Sequence, residues 1–411
     1  MQLVEKHIIK PNDNRWDKID NLSFLSKNLY NASLYDVRQN YFNSKIHKTW
    51  QTQRKEFVKN NNVDYRALPA KLSGEVLIQV GQNFNSFFGS LKAKRSGTNK
   101  NNVKIPKYKT KNGRNIVVFP KDTISKKKNI LTNGLIEHIL CPRDKNVNMK
   151  IVSKQIDIDN VRLVPQSDHY VIEVVYTVPD VEPKPDNGKY AGIDFGVSNF
   201  VTLVSNVDSP KIYGGRVKSI NQFYNKKLAK YNSLLGEGVY SSNRIRRLTN
   251  KRNSKLDFEL HNISRGIVDY LVSFGVNTLV IGYSAGWKQD INIGKRNNQN
   301  FVGIPFLNLV KMLEYKCALV GIRVVLTEES YTSKCSFVDR ENVGYNSVYV
   351  GRRVKRGLFK TQVGLRINAD VNGAFNIIRK VVPDSVLYTE GIEGFAVNPV
   401  RVKNHKINIL S

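Results

Sequence analysis

Asp194 lies inside the apolar run KYAGIDFGV, between Ile193 and Phe195. A carboxylate among strand residues is costly to bury unless it is paired or binds a metal. The plainer alternative is an Asp at a strand-to-turn junction, because Gly196 and Asn199 follow closely. Asp370 opens the run NADVNGAFNI, where an Asp also serves as an ordinary helix cap. Brought together, two such carboxylates suit hard divalent cations, Mg²⁺ or Mn²⁺, through oxygen ligands. Two ions of this kind activate water and stabilise the leaving oxygen of a phosphodiester. A third carboxylate is expected. The apolar run TLVIGYS offers none and carries Gly282 at the natural position. The nearest acid downstream is Asp290. The next apolar run, IRVVLTEES, ends in Glu328 and Glu329. Neighbouring strand residues point to opposite faces, so at most one of the two serves. Glu329 is favoured, with Glu328 and Asp290 as alternatives. Both glutamates are otherwise ordinary exposed acids.

The elements that position these groups follow from periodicity. LVEKHIIK reads as a strand. Residues 19–60 read as helical, with Leu22, Leu25, Leu29, Leu34 and Val37 mostly three or four apart. Leu68-Pro69 breaks that pattern, and Leu72, Val76, Val80, Phe84, Phe87 and Phe88 then stripe a core-facing helix. Short strands follow in NIVVFP, EHILCP, NMKIVS, VRLVP and HYVIEVVYTV. The Pro-rich stretch VPDVEPKPDNGKY marks a domain boundary near 180–188. Beyond it come three strands joined by short turns, a helical stretch over 219–274, a strand (NTLVIGYS), a helix opened by Pro305, another strand and a final helix. The order β-β-β-α-β-α-β-α is the RNase H-like arrangement, three antiparallel strands plus two parallel strands reached by helical crossovers. In that α/β sheet the first strand and the last helix meet, and a glutamate ending the fifth strand lies at the carboxyl edge where open sheets place their sites.

The chain has 411 residues with 65 Lys and Arg against 34 Asp and Glu, a formal charge of +31. Its hydrophobic content of 40% excludes full disorder. No apolar run reaches membrane-spanning length, and the N-terminus lacks the pattern of a secretory leader. Three widely spaced cysteines (Cys141, Cys317, Cys335) form no disulfide framework. The charge is concentrated. Residues 92–128 carry thirteen Lys/Arg and one acid, 211–255 twelve and one, and 351–366 six and none. These blocks hold +29 of the +31, which points to nucleic acid rather than to an anionic membrane. The candidate contacts are Lys104, Lys107, Lys109, Lys111 and Arg114 in the first block, and Arg244, Arg246, Arg247, Lys251 and Arg252 in the second. Arg352, Arg353, Lys355 and Arg356 belong to the third, and Lys288 lies between. Trp287 and Tyr331 are candidates for base stacking, although aromatic residues at such positions are more often packed.

The segments GIDFGVSNFVTL, YTSKCSF and NADVNGAFNI, in this order and spacing, resemble the TnpB family of transposon-encoded RNA-guided DNA nucleases and the related compact type V CRISPR effectors. KIPKYKTKNGRNIVVFP resembles the family's wedge domain, LPAKLSGEVLIQVGQNFNSFF its helical recognition region, and NKRNSKLDFELHNISRGIVDYL the helical pair of its RuvC-like nuclease domain. The resemblance implies a wedge strand at 1–10, a helical recognition domain at 11–95 and a wedge β-barrel at 96–183. It further implies a RuvC-like nuclease at 184–333, completed by a helix at 367–382. The stretch 334–366 is then a basic insert, and 383–411 reads as a mobile or RNA-contacting tail. The family usually carries a glutamate where this chain has Gly282, but one branch uses a relocated glutamate, and IGYSAGWKQDINIGKRNNQNF resembles that branch. The family's four-cysteine zinc ribbon is reduced here to Cys335, so no zinc is expected. A hairpin or lid held by Phe337, Tyr349 and Phe359 is expected instead.

The resemblance implies a guide RNA, a target duplex checked at a short adjacent motif, two Mg²⁺ or Mn²⁺ ions at Asp194, Glu329 and Asp370, and a cytoplasmic, nucleoid-associated setting in a prokaryotic-type cell. A monomer is favoured. A catalytically inactive RNA-guided repressor of the same fold is the alternative, which Gly282 keeps open. A plain RNase H-like nuclease without a guide would leave the basic N-terminal half unexplained.

Overall fold

The computed structural model describes the chain apart from residues 45–47, 100, 126–128, 132–133, 284–302, 389–398 and 403–411. Two units divide at Pro179/Asp180, on the Pro-rich stretch.

In the first unit, strand β1 (Gln2–Ile9) precedes helices α1 (Trp16–Ser44), α2 (Trp50–Lys59), α3 (Val63–Arg66) and α4 (Ala70–Arg95). The stretch read as helical over 19–60 is thus two helices. Pro69 stands at the N-cap of α4, where its missing N–H has no intrahelical partner to lose. Helix α1 buries Leu22, Leu29, Leu34 and Val37, and α4 buries Leu72, Val76, Val80 and Phe84, in one core. Strands β2 (Val117–Pro120), β3 (Asn129–Ile130), β4 (Ile136–Leu140), β5 (Met149–Ser153), β6 (Asn160–Pro165) and β7 (Tyr170–Thr177) follow. They form two sheets, β1-β7-β6-β2 and β3-β4-β5. The expected barrel is therefore not one continuous sheet among the described residues. The chain leaves β2 at Pro120, which has no N–H to extend the ladder, and enters a short 3₁₀ turn, Lys121–Thr123. It reaches the second sheet through a bridge between Ile124 and Leu140.

The second unit is built on a six-stranded sheet. Strands β8 (Tyr190–Phe195), β9 (Val201–Ser205) and β10 (Lys211–Tyr213) are antiparallel neighbours. Helices α5 (Gly215–Asn232) and α6 (Asn243–Ser273) then lead to β11 (Thr278–Gly282), parallel to β8. Helix α7 (Phe306–Ala318) crosses to β12 (Arg323–Thr327), parallel to β11. This is the plan of three antiparallel and two parallel strands read from the sequence. A separate antiparallel sheet of β13 (Arg352–Lys355), β14 (Leu358–Lys360) and β15 (Arg366–Asn368) fills the basic insert. Helix α8 (Ala369–Arg379) follows directly, then α9 (Asp384–Leu387) and β16 (Val400–Arg401). Of the reading of 383–411 as a mobile or RNA-contacting tail, the first alternative does not hold at these last two elements. Val400 and Arg401 pair in parallel with Lys211 and Ile212 of β10, and Val402 packs on the sheet core.

Alternation along β8 separates two cores. Ala191, Ile193 and Phe195 join α6 and α7, while Tyr190 joins α8 through Ala374, Phe375 and Ile378. Asp194 has the parity of Tyr190, so its side chain points to the α8 face. The insert is anchored on the same helix: Phe337 stacks on Phe375 at 4.2 Å and on Tyr388 at 4.9 Å. Phe359 is fully buried, whereas Tyr349 is only half-buried. The loop before β13 is gathered instead around Glu341, whose carboxylate accepts from Ser336 N (2.7 Å), Val350 N (3.1 Å) and Asn346 Nδ2 (3.3 Å). No helix among the described residues is long and apolar enough to cross a membrane.

Candidate active site

Helix α8 is capped by Asn368, whose side-chain oxygen accepts from the N–H groups of Asp370 (2.9 Å) and Val371 (3.2 Å). Asp370 is therefore not the cap, and its carboxylate is released for other work. Oδ2 accepts from Asn199 Nδ2 at 2.8 Å and Oδ1 from Arg353 Nη2 at 3.2 Å. The same turn of α8 meets Asp194. A Cβ at Gly373 would stand 3.2 Å from Asp194 Oδ2, so the helix backbone lies against that carboxylate with no side chain between.

Glu329 arrives from the far side of the sheet edge. A Cβ at Gly282 would stand 2.8 Å from Glu329 Oε1 and 2.9 Å from its Cγ. The glutamate following β12 thus fills the volume that a side chain on the last residue of β11 would need. Its Oε1 is buried and accepts no hydrogen bond. Glu328 points elsewhere: it is exposed, ion-paired with Lys380 and hydrogen-bonded to Ser330. The two side chains thus part just beyond the end of β12.

The electrostatics agree with this convergence. Burial first, then the neighbouring Glu329 and Asp370 carboxylates, raise the Asp194 pKa well above the usual carboxylate range, and Arg353 offsets part of this. Burial pushes Glu329 up to about 7, with Glu328 adding to the rise and Lys380 opposing it. Glu328 is drawn down to about 2 by its hydrogen bonds from Lys380 and Ser330. Two acids pushed up beside a third form a site that a cation would stabilise. The donors are all carboxylate oxygens, a set suited to Mg²⁺ or Mn²⁺. The orphaned Glu329 Oε1 is a free ligand atom. Among the described residues, no three His, Cys, Asp or Glu side chains stand close enough to share one ion. The fit is therefore to ions that take one or two carboxylates and complete their shell with water and phosphate, as Mg²⁺ does. The Arg353–Asp370 pair is partly exposed on both sides, and such pairs contribute only about 0–1 kcal/mol.

Asp370 lines a cleft of about 590 Å³ together with Ser198, Asn199, Arg353, Arg356 and Arg401, among others. Asn199 and Arg401 carry no signal of their own in the sequence. Asn199 sits in a turn, and Arg401 lies in the stretch read as a tail.

The basic candidates divide. Lys104, Lys107, Lys109 and Lys111 are exposed, and Lys104 and Lys107 line a polar cleft of about 540 Å³ with Asn83, Asn99 and Asn101. Arg244, Arg246, Arg247 and Lys251 are exposed on α6, as are Arg352, Lys355 and Arg356 in the insert. Two candidates are engaged within the fold. Arg114 grips Asp20 through Nε (2.8 Å) and Nη2 (2.6 Å) and lies over the Phe24 ring. Arg252 donates to Asn221 Oδ1 from Nε (2.9 Å) and Nη2 (2.6 Å) and also binds the Gly303 carbonyl. Both are braces between elements, because a guanidinium satisfies several acceptors in one plane. Tyr331 is exposed, with a positive φ of 66°, edge-on to Tyr345. Trp287, Lys288 and Asp290 lie outside the described residues.

The mixed α/β fold is shared with known proteins. The family model OrfB_IS605, described as a probable transposase, matches residues 173–288, and the Cas12f1-like TNB domain matches residues 306–377. A TnpB-like protein of Acidianus two-tailed virus, ORF457, is 25% identical over 90% of this chain and 85% of its own length. The CRISPR-associated endodeoxyribonuclease Cas12f2 of a Micrarchaeota archaeon is 27% identical over 54% of this chain and 42% of its own. In fold, the chain is similar to Cas12f1 in a complex with sgRNA and target DNA (TM-score 0.57, 16% identity, 89% of this chain and 83% of that one). It is also similar to the mini-RNA-guided endonuclease Cas phi3 (TM-score 0.50, 8% identity, 94% and 92%). The sequence matches therefore make the chain similar to TnpB proteins and to Cas12f nucleases.

Proposed function

We propose that this protein is an RNA-guided DNA endonuclease whose second unit is a RuvC-like nuclease, with Asp194, Glu329 and Asp370 as its carboxylates. The observation that carries the reading is the seating of Glu329 in the space left by Gly282, with a buried, unpartnered oxygen whose carboxylate raises the Asp194 pKa. A loss of function would not need three acids arranged at such electrostatic cost. Mg²⁺ or Mn²⁺ at these carboxylates supplies Lewis-acid activation of water and of the scissile phosphate. The protein's own contribution is orientation. Asn199 and Arg353 hold the two oxygens of Asp370, Asn368 fixes the first turn of α8, and the β11 edge fixes Glu329. Arg353 and Arg356 offer guanidinium groups to a phosphate backbone in the adjoining cleft. The exposed lysines at 104–111 and the basic face of α6 suit a guide RNA and its heteroduplex, which are recognised by backbone geometry.

The test is to co-purify the protein with its RNA, sequence that RNA, and incubate the complex with a matching plasmid and Mg²⁺. Cutting is expected from wild type and from Glu328→Ala. Asp194→Ala, Glu329→Ala and Asp370→Ala are expected to lose cutting and keep their RNA. Plasmid binding without cutting by wild type, in both Mg²⁺ and Mn²⁺, would establish the repressor reading instead.

A further inference from the structure

Arg401 reaches the carboxylate site from the other end of the unit. It lies on β16, fixed by pairing with β10 and by backbone bonds from Val400 N to Pro210 O (2.8 Å) and from Val402 N to Ile212 O (3.0 Å). Its Nη2 donates to Asn199 Oδ1 at 3.2 Å. Asn199 is 8% exposed, and its Nδ2 donates to Asp370 Oδ2 at 2.8 Å. An amide side chain has one accepting and one donating end, whereas a guanidinium only donates. Arg401 therefore admits just one of the two amide orientations, the one that presents N–H to Asp370. Without it, the flipped amide would set an oxygen against the carboxylate.

We propose that Arg401 is a positioning residue of the nuclease site, acting through Asn199 to hold the Asp370 carboxylate in place for its cation. The proposal rests on the nuclease reading above. It makes the strand formed by Val400 and Arg401 part of the active-site framework, and it assigns Asn199 the role of a relay. Partners at this remove from a ligating carboxylate typically change metal affinity or activity by about 10- to 100-fold.

A double-mutant cycle tests the relay with two readouts on the RNA-loaded protein: Mn²⁺ affinity by electron paramagnetic resonance, and the cleavage rate as a function of Mg²⁺ concentration. Arg401→Ala and Asn199→Ala are each expected to weaken Mn²⁺ binding about 10-fold or more. The double variant should be no worse than the poorer single one, since both remove the same link. Arg401→Lys, which keeps a donor, should recover part of the loss. Additive losses would show that Arg401 acts on a phosphate and not through Asn199, and would overturn the relay. Wild-type affinity in Arg401→Ala would overturn it as well. Unchanged RNA binding and melting temperature separate these effects from misfolding. If Arg401→Ala fails to fold, Asn199→Ala and Arg401→Lys carry the same test, and wild-type Mn²⁺ affinity in both overturns the relay. If wild type neither binds Mn²⁺ nor cuts, the nuclease reading fails and the relay with it.

Discussion

Gly282→Ala adds a single methyl group where the structure has room for none. The new Cβ would stand 2.8 Å from Glu329 Oε1 and 2.4 Å from Ile377 Cδ1. Restoring ordinary contact moves the carboxylate by about 0.6–1.2 Å. Ile377 can turn its terminal methyl aside, but Glu329 is held between the β11 edge and the loop after β12 and must shift. Overpacking of this kind costs about 1–3 kcal/mol, a loss readable by chemical denaturation. The catalytic loss is expected to be larger in proportion, because a misplacement of about 1 Å at a reacting centre costs on the order of 10²-fold. Single-turnover plasmid cleavage by the purified RNA complex measures it. Adding Ile377→Val removes the aliphatic clash but leaves the carboxylate clash. The double variant should recover stability while its cleavage stays low. If Gly282→Ala folds, keeps its RNA and cuts at the wild-type rate, the seating of Glu329 beneath Gly282 has no part in catalysis.

Three further outcomes are expected. Glu341→Ala removes the acceptor for the buried Ser336 N–H, the part-buried Val350 N–H and the Asn346 amide; it should lower stability by about 1–3 kcal/mol, measured by denaturation, with the loop before β13 becoming protease-sensitive. Lys316 is lowered to about 8, chiefly by burial, so the unfolded chain binds more protons between pH 8 and 10.5 and stability should rise with pH across that window. Lys316→Met should flatten this rise and gain about 1 kcal/mol at pH 7, after discounting for partial exposure; thermal melts from pH 7 to 10.5 check the sign. Lys104→Ala with Lys107→Ala should reduce the salt slope of RNA binding by about 1–2 and leave the melting temperature unchanged, whereas Arg114→Ala should lower the melting temperature by breaking its pair with Asp20.

The candidate acids were legible because strands and helices write their faces locally. The apolar neighbours of Asp194 made it a strand carboxylate, and the period of two separated Glu329 from Glu328 before any contact was known. The order of elements was legible for the same reason, since each is set by a periodicity within its own segment. That Asp370 is not the helix cap was less so, because Asn368 must first be seen to take the capping bonds. The barrel expectation missed where Pro120 ends a ladder, which depends on which strand would have come next.

Local pattern alone decided the type of each element, the clustering of charge in three blocks and the absence of an acid at position 282. Contacts between segments distant in sequence decided the rest. Arg114 and Arg252 read as free cations in the chain, and only the approach of Asp20 and of Asn221 with Gly303 turned them into braces. The two-residue strand at Val400–Arg401 is too short to carry any periodicity, yet pairing with β10 brings Arg401 to Asn199. Gly282 alone is only a missing carboxylate. Its meaning comes from the parallel packing of β11 and β12, which lets the next strand's glutamate occupy the volume that its hydrogen leaves open.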